Sequence, residues 1–504
     1  MNTQRKTLLL AIGFLIYCAW NLYYLDKYPL IDLDDACMAE PAWSFVKTGH
    51  FSAPSFEGSY GLEKSDIYHG RLYMLAIAPY FKLFGLGVYQ SRIDSFITGL
   101  FILLLTYLIA KRMFSDSVAL KSAILLSLSG LFIICAHRAR QEMLLTLFIL
   151  LSFYLYLVSI KAEKGKFAFA FISGLLAGLS TDIHLNGVIV PLMLVCLFIY
   201  EYKLKFLKEK GFWLCMAGVA VGMLWWVTTH ILMDVNLFNE QWNGFVMKEI
   251  GTPGAQTGFN PFHLVKNELK RYIFWFWSTT AHRNMAEFIL LVPGIAGAFL
   301  KNEKNRNILF ICVLSFLVMF TLIVSQKAPY YILLFLPFVF ILFARGLENL
   351  KPALSKTVFG LLIAFYIVQL CFIGVKYRDV NYDNYASRVK AFIPPDKTLL
   401  GDTILWFTFS EQKFYSELTY SYYQKITKNP LESYLKEKNI EYVVFGKDQI
   451  GSFVDSEYFR SSYIQIAEVS DKFFGSGGML SGKRSYQTLI YQKKGSHGNR
   501  KIPA

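Results

Sequence analysis

The chain has 504 residues, 54% of them hydrophobic and only 17% charged, with a formal net charge of +15. A soluble protein of this length carries more charge and shorter apolar runs, which makes the chain a polytopic membrane protein. The positive charge falls in short loops between apolar runs, as the positive-inside rule requires, and leaves no role for nucleic acid.

In chain order, several runs approach the roughly 20 residues that cross a bilayer. About eleven membrane helices are expected, near 7–25, 91–110, 118–136, 143–160, 167–183, 187–201, 211–230, 286–300, 307–325, 330–345 and 357–375. The run up to Tyr24 follows Arg5 and Lys6 and has no clear small-residue cleavage site, so it reads as a retained first helix. Lys111/Arg112, Lys161/Lys164/Lys166, Lys203/Lys205/Lys208/Lys210, Lys301/Lys304/Arg306 and Lys351/Lys356 share alternate connections with Arg5/Lys6, which makes those connections cytoplasmic. The opposite side then holds the first loop (26–90), tight turns at 137–142, 182–187 and 325–330, a long loop (231–285) and everything after about residue 376.

Within the first loop, 40–46 has a short amphipathic helix pattern stopped by Gly49, and 72–86 is expected to lie along the interface. The 231–285 loop is rich in glycine (Gly244, Gly251, Gly254, Gly258). It ends in Phe274-Trp275-Phe276-Trp277, the pattern of a flap tied down by an interfacial helix. Beyond the last apolar run a small α/β domain is expected over 376–504. Its strands lie near 397–407 and 440–446, a helix near 429–438, and a basic disordered stretch begins at Lys493. Of the seven cysteines, only Cys37 lies in a large loop and no pair has metal-ligand spacing, so a disulfide framework is not expected.

The most informative stretch is Asp32-Leu33-Asp34-Asp35-Ala36-Cys37-Met38-Ala39-Glu40. Carboxylates this close to hydrocarbon are costly unless water, cations or a reaction needs them. A solvated acidic loop is the plain reading of isolated acids. Glu40, Glu63, Lys64 and Asp66 in the same loop weaken it. Such carboxylates can remove a proton from an acceptor hydroxyl, orient sugar hydroxyls, or hold a divalent cation.

On the same outer side, His137-Arg138-Ala139-Arg140-Gln141-Glu142 brings two guanidinium groups and a carboxylate together. Arginines either snorkel at helix ends or bind phosphate oxygens in pairs. Lys327 with Tyr330 and Tyr331, and Arg92 at the outer start of the second helix, carry the same two readings. Asp182 and His184, beside Asn186, either line a cavity or are hydrogen-bonded structural groups. There is no GxxxxGK[ST] loop, no GxGxxG after a strand, no HExxH, no CxxC and no GxSxG.

Asp34-Asp35-Ala36-Cys37-Met38-Ala39-Glu40 resembles the Asp-Glu-Ala-x-Tyr-Ala-Glu motif in the first outer loop of the GT-C membrane glycosyltransferases. The nearest group contains the bacterial lipid A aminoarabinose transferases and protein O-mannosyltransferases. Asp34, Asp35 and Glu40 fall on the motif's three acids. Lys47-Thr48-Gly49-His50-Phe51-Ser52-Ala53-Pro54, Glu63-Lys64, Arg92-Ile93-Asp94-Ser95, Gly174-Leu-Leu-Ala-Gly-Leu-Ser-Thr and Lys327 with Tyr330 or Tyr331 and Pro337 resemble further segments of that family in the same order. The likeness covers roughly residues 1–375. The chain departs from the pattern at Ser65-Asp66, where the family has Pro-Pro, and at His184, where it has a lysine.

The resemblance implies a GT-C transmembrane domain (1–375) followed by an extracytoplasmic domain (376–504). It further implies transfer of a sugar from a polyprenyl-monophosphate donor, normally with inversion, to a lipid, glycan or protein acceptor outside a bacterial inner membrane. Asp34 would be the general base or acceptor-orienting carboxylate. Lys64, Arg92, Arg138 and Lys327, with Tyr330 and Tyr331, would bind donor phosphate, while Glu63, His137, Arg140, Glu142, Asp182 and His184 would line the cavity. A transporter or flippase of lipid-linked sugar without chemistry is the alternative, and inverted repeats or broken helices in matched halves would favour it.

Overall fold

In the computed structural model the described residues are 3–246, 261–273, 285–322, 324, 328–446, 455–471 and 486–495. A helix lies over each expected apolar run: Thr3–Tyr24, Val88–Met113, Asp116–Leu128 with Gly130–Ala136, Gln141–Ser159, Lys166–Ile183, Ile189–Tyr202, Lys210–Trp226, Met285–Ala298, Lys304–Leu322, Leu336–Asn349 and Pro352–Tyr377. Among the described residues seven helices are long and apolar enough to cross a membrane, or eight if the third run, bent by 64° at Ser129, is one span. Met285–Ala298 and Leu336–Asn349 have 14 residues each. At 1.5 Å per residue they rise only about 21 Å, short of the hydrocarbon thickness.

Close helix packing rests on glycine. A Cβ on Gly174 would sit 1.9 Å from the Cys215 carbonyl oxygen, and one on Gly218 2.1 Å from that of Phe171. Only glycine lets the two backbones of Lys166–Ile183 and Lys210–Trp226 approach this closely.

The first loop is more ordered than its sequence suggests. A helix runs over Leu33–Thr48, starting seven residues before the amphipathic pattern expected from Glu40. The reason is a capping box: the Asp32 side chain accepts from the Asp34 N–H at 3.0 Å, and Asp35 accepts from the Asp32 N–H at 3.1 Å. The acids of the first turn also face the positive end of the helix dipole. Gly49, at φ +77°, closes the helix by donating its N–H to the Phe45 carbonyl.

The interfacial helix appears as Arg71–Phe84. Its N-terminus is capped from another element, because the Leu72 N–H donates to Asp182 Oδ2 at 2.7 Å. Gly70 makes this docking possible, since a Cβ there would lie 2.0 Å from the Asp182 carbonyl oxygen. Gly70→Ala is expected to lower the thermal midpoint of the purified protein by forcing these backbones apart. An unchanged midpoint would show that the contact yields without cost.

The 231–285 loop contains Val235–Gln241 and an amphipathic helix, Pro261–Ile273. Gly251, Gly254, Gly258 and the Phe274–Trp277 cluster of the expected flap lie outside the described residues.

After Tyr377 the chain builds a five-stranded mixed sheet, order β2-β1-β3-β5-β4. The strands are β1 (Leu399–Gly401), β2 (Phe414–Ser416), β3 (Tyr442–Gly446), β4 (Tyr463–Ser470) and β5 (Gln487–Lys493). β1 pairs in parallel with β2 and β3, and β5 pairs antiparallel with β3 and β4. The first expected strand is thus cut short, because Asp402 caps a turn and 403–409 becomes helical. Lys493, the expected start of a disordered stretch, ends β5, and 496–504 lie outside the described residues.

This domain is fastened to the first loop. Thr419 Oγ1 donates to the Ser55 carbonyl at 2.5 Å, Tyr415 Oη to Glu57 at 2.8 Å, and the Ile31 N–H to Tyr486 Oη at 3.2 Å.

Candidate functional site

A cavity of about 450 Å³ lies where the first loop, three tight turns and the C-terminal domain meet. Asp34 is on the first turn of Leu33–Thr48 and points its carboxylate at Arg140 Nη1, with which it forms an ion pair. Arg140 also grips Glu142, through Nε at 3.0 Å and Nη2 at 2.5 Å. Arg138 Nη1 donates to Asp32 Oδ2 at 2.8 Å, while its Nε is buried with no partner among the described residues.

Both guanidinium groups lie over the Tyr330 ring, at 4.8 and 4.9 Å from its centroid. The electron-rich ring is shared by the two like charges. Burial pushes the Asp34 carboxyl above the ordinary aspartate value, and Arg140 opposes the shift. The result is a carboxylate within a network of three acids and two guanidinium groups in a half-buried cleft.

The opposite wall is polar as well. His184 Nδ1 accepts the Asn186 N–H at 3.0 Å, which leaves Nε2 as the protonated nitrogen, 3.5 Å from Tyr331 Oη. Burial pushes His184 down to about 4, so the ring is neutral and offers a donor rather than a charge. Asp66 accepts from the His69 ring at 2.7 Å and from its N–H at 3.0 Å. Burial alone would raise Asp66, but the His69 ring and N–H outweigh it and hold the carboxyl low.

Phe245, Leu418 and Tyr422 complete the roof. Phe245 stands 4.9 Å from Tyr60 and 5.2 Å from Tyr422, which ties the start of the long loop to the first loop and the C-terminal domain. Arg271, fully buried, donates to the Ala328 carbonyl at 3.0 Å and pairs with Glu268 at 2.9 Å, so it steadies the strand of chain that presents Tyr330 and Tyr331.

Of the residues singled out from sequence, the structure brings Asp34, Arg140, Glu142, His184, Tyr330 and Tyr331 to this cavity, with Arg138 just behind Tyr330. It places others elsewhere. Asp35 and Arg92 form a buried pair behind the site: Arg92 Nη2 meets Asp35 Oδ2 at 2.6 Å, and its Nη1 serves the Leu25 and Pro29 carbonyls. With its donors engaged and no exposed surface, Arg92 has nothing left for a phosphate.

His137 is buried between the Tyr28 carbonyl and Asn21 Oδ1, each at 2.8 Å, and packs the first helix rather than lining the cavity. Asp182 is consumed by the Leu72 cap and by His230 at 2.6 Å. Glu63 accepts the Gly58 N–H at 3.2 Å, and Lys64 is exposed, both away from the cavity. Lys327 lies outside the described residues.

Glu40 faces the other way, toward the C-terminal domain, accepting the Ser55 N–H at 2.8 Å. Burial pushes it up to about 7. A carboxyl whose folded value exceeds its unfolded one binds more protons when folded. Its stabilising contribution is therefore complete below about pH 4.5 and lost as pH rises through about 7. The wild-type thermal midpoint should accordingly fall more between pH 5 and 8 than that of Glu40→Gln, and equal pH slopes would remove Glu40 as the cause.

Sequence reading gave no role to Tyr68, His69, Gln141 or Arg271. Their one signal was polarity beside the acidic loop or on an otherwise interfacial helix. Among the described residues no group of three or more His, Cys, Asp or Glu is placed to hold a metal ion.

This architecture, a bundle of apolar helices whose first loop carries an acid-capped helix beside a small α/β domain, matches the fold of solved membrane-protein structures. The crystal structure of ArnT from Cupriavidus metallidurans bound to undecaprenyl phosphate matches it with a TM-score of 0.68 at 13% identity, over 96% of this chain and 98% of that one. The apo form of the same protein matches with a TM-score of 0.65 at 14% identity, over 97% and 98%. The Archaeoglobus fulgidus oligosaccharyltransferase tethered with an acceptor peptide matches with a TM-score of 0.52 at 12% identity, over 90% and 71%. At such identities the likeness establishes the fold.

In sequence, the dolichyl-phosphate-mannose-protein mannosyltransferase family model matches residues 69–227. A protein of Aquifex aeolicus (strain VF5), described as uncharacterized, is 28% identical over 349 residues. That match covers 69% of this chain and 64% of the relative, so the chain spans less than two thirds of the relative's length.

Proposed function

We propose that the protein is a glycosyltransferase that moves a sugar from a polyprenyl-monophosphate donor to a hydroxyl-bearing lipid, glycan or protein acceptor. The observation that carries this reading is the pairing, in one cavity, of an ionisable acid (Asp34) with two guanidinium groups held over Tyr330. Sugar transfer from a phosphate needs both halves. The acceptor oxygen attacks the anomeric carbon as the sugar–phosphate C–O bond breaks. Its proton passes to Asp34, and the negative charge left on the polyprenyl phosphate is taken up by Arg140 and Arg138.

Attack from the face opposite the leaving phosphate inverts the anomeric centre. Arg140 must release Asp34 in part as phosphate arrives, and Glu142 keeps the guanidinium in place while it does so. The unpartnered Nε of Arg138 and the Nε2–H of His184 are further donors for phosphate or sugar oxygens. The fold likeness to a structure bound to undecaprenyl phosphate supports a lipid phosphate as the leaving group. The alternation of basic loops supports an active face outside the cytoplasm of a bacterial inner membrane.

The test is transfer itself. Purified protein in vesicles, given a panel of radiolabelled polyprenyl-phosphate sugars and a lipid extract as acceptor, should release polyprenyl phosphate and label the acceptor. Movement of intact donor across the vesicle membrane with no bond broken would instead support the transporter reading.

A further inference from the structure

A second pocket, of about 260 Å³, lies on the other side of the helix Leu33–Thr48, between that helix and the C-terminal domain. Trp43 and Trp406 give it two indoles, Tyr415 a phenol, and Glu40 and Gln412 a carboxylate and an amide, with the exposed Lys413 at the rim. Glu40 is only 4% exposed and receives the Ser55 N–H at 2.8 Å, the Ser55 hydroxyl and the Trp406 indole N–H. The last contact fixes the plane of the Trp406 ring. Two polar atoms of the lining, Trp43 Nε1 and Gln412 Oε1, are buried with no partner among the described residues.

Buried donors and acceptors left unmade are costly and call for a ligand or water. The other charges are already balanced: Glu57 meets Tyr415 Oη at 2.8 Å and Lys438 at 3.2 Å, and Lys47 pairs with Glu411. The two charged groups of the lining without an ion pair among the described residues, Glu40 and Lys413, are of opposite sign, so the pocket has no net charge with which to select an ion. Flat aromatic faces beside an amide, a carboxylate and hydroxyls suit a ring that is apolar on one face and rich in hydroxyls at its edge, which is a pyranose. The volume suits one such ring rather than a drug-sized ligand.

We propose that this pocket is a saccharide-binding site for one hexose-sized unit of the acceptor glycan, seated against Trp43 with Trp406 in its wall and with Gln412 and Trp43 Nε1 as its hydrogen-bond partners. Its place supports that role. Asp34 and Glu40 are six residues apart on one helix, a rise of about 9 Å, and face different sides of it. An acceptor whose reacting hydroxyl is at Asp34 can then be gripped by a second unit across the helix. That the bound sugar belongs to the acceptor rests on the proposed transfer reaction; that a sugar binds here does not.

The experiment measures binding, not turnover. The full-length protein in detergent is titrated with glucose, galactose and N-acetylglucosamine, followed by saturation-transfer NMR. At least one should bind saturably, with affinity weakened about tenfold by Trp406→Ala and by Gln412→Ala, the latter keeping the domain fold if the tryptophan change does not. Asp34→Asn should bind the same sugar as tightly as the wild type. Absence of saturable binding by all three sugars, binding that survives both pocket substitutions, or binding lost in Asp34→Asn would each overturn the proposal. None of these results depends on whether transfer occurs.

Discussion

Asp34→Asn should lower kcat for sugar transfer by about 10²–10⁴-fold, the usual cost of removing a positioned general base. The change is nearly isosteric. Asparagine Oδ1 can still accept from Arg140 Nη1, and the capping contact is made by the residue 34 backbone N–H rather than its side chain. The helix Leu33–Thr48 and the position of Arg140 should survive, so KM for the donor should change far less than kcat. Because burial raises the Asp34 carboxyl while Arg140 opposes it, kcat/KM in the wild type should rise with pH as the carboxyl ionises, with a midpoint above the ordinary aspartate value of about 3.9. That rising limb should vanish in Asp34→Asn. Single-turnover transfer in vesicles across pH 4 to 8 checks both. If kcat stays within tenfold of the wild type and the pH limb persists, the base is another group, and Asp66 with His69 on the facing wall is the next to test.

Loss of the Arg92–Asp35 pair should be the largest stability effect in the first loop. Neither side chain has appreciable exposure, and Arg92 serves Asp35 twice and two carbonyls besides. Arg92→Ala leaves Asp35 and two carbonyl oxygens buried without their donor. Breaking such a pair from one side costs roughly 3–5 kcal/mol. Arg92→Lys should rescue little of it, because an ammonium cannot bind a carboxylate in two parallel bonds while also reaching the carbonyls.

Asp35 also accepts the Ala139 N–H at 2.8 Å, so the damage reaches the turn that carries Arg138 and Arg140. The expected signature is a large drop in thermal midpoint with transfer falling in proportion to the folded fraction and donor KM near the wild-type value. A loss of donor affinity at unchanged stability would instead return Arg92 to the phosphate site.

These two neighbours, Asp34 and Asp35, show where sequence reading stops. They are adjacent in one motif, and nothing in their spacing separates them. Once Asp32 caps the helix, successive side chains point about 100° apart, so one meets Arg140 in the cavity and the other meets Arg92 behind it. The same geometry turns Glu40 toward the C-terminal domain. His137 and Asp182 carried a fair signal, ionisable groups at membrane depth, but each is spent on a backbone group of another element. A sequence does not display such partners. Asp66 was noted only as one more acid of the loop and His69 was given no role, until folding set them together on the cavity wall.

Hydropathy was enough to determine the membrane class and the order of the helices, because the burial of apolar runs is a local property. The acidic motif and the arginine turn named residues that meet at one cavity. Only the tertiary structure decided which acid faces which arginine, that Arg92 holds the loop rather than a phosphate, and that the C-terminal domain roofs one pocket and walls another. Those outcomes depend on which groups meet across elements far apart in sequence, such as Arg140 with Asp34, and a fully buried group whose polar atoms are all engaged, such as Arg92, has none left for a ligand.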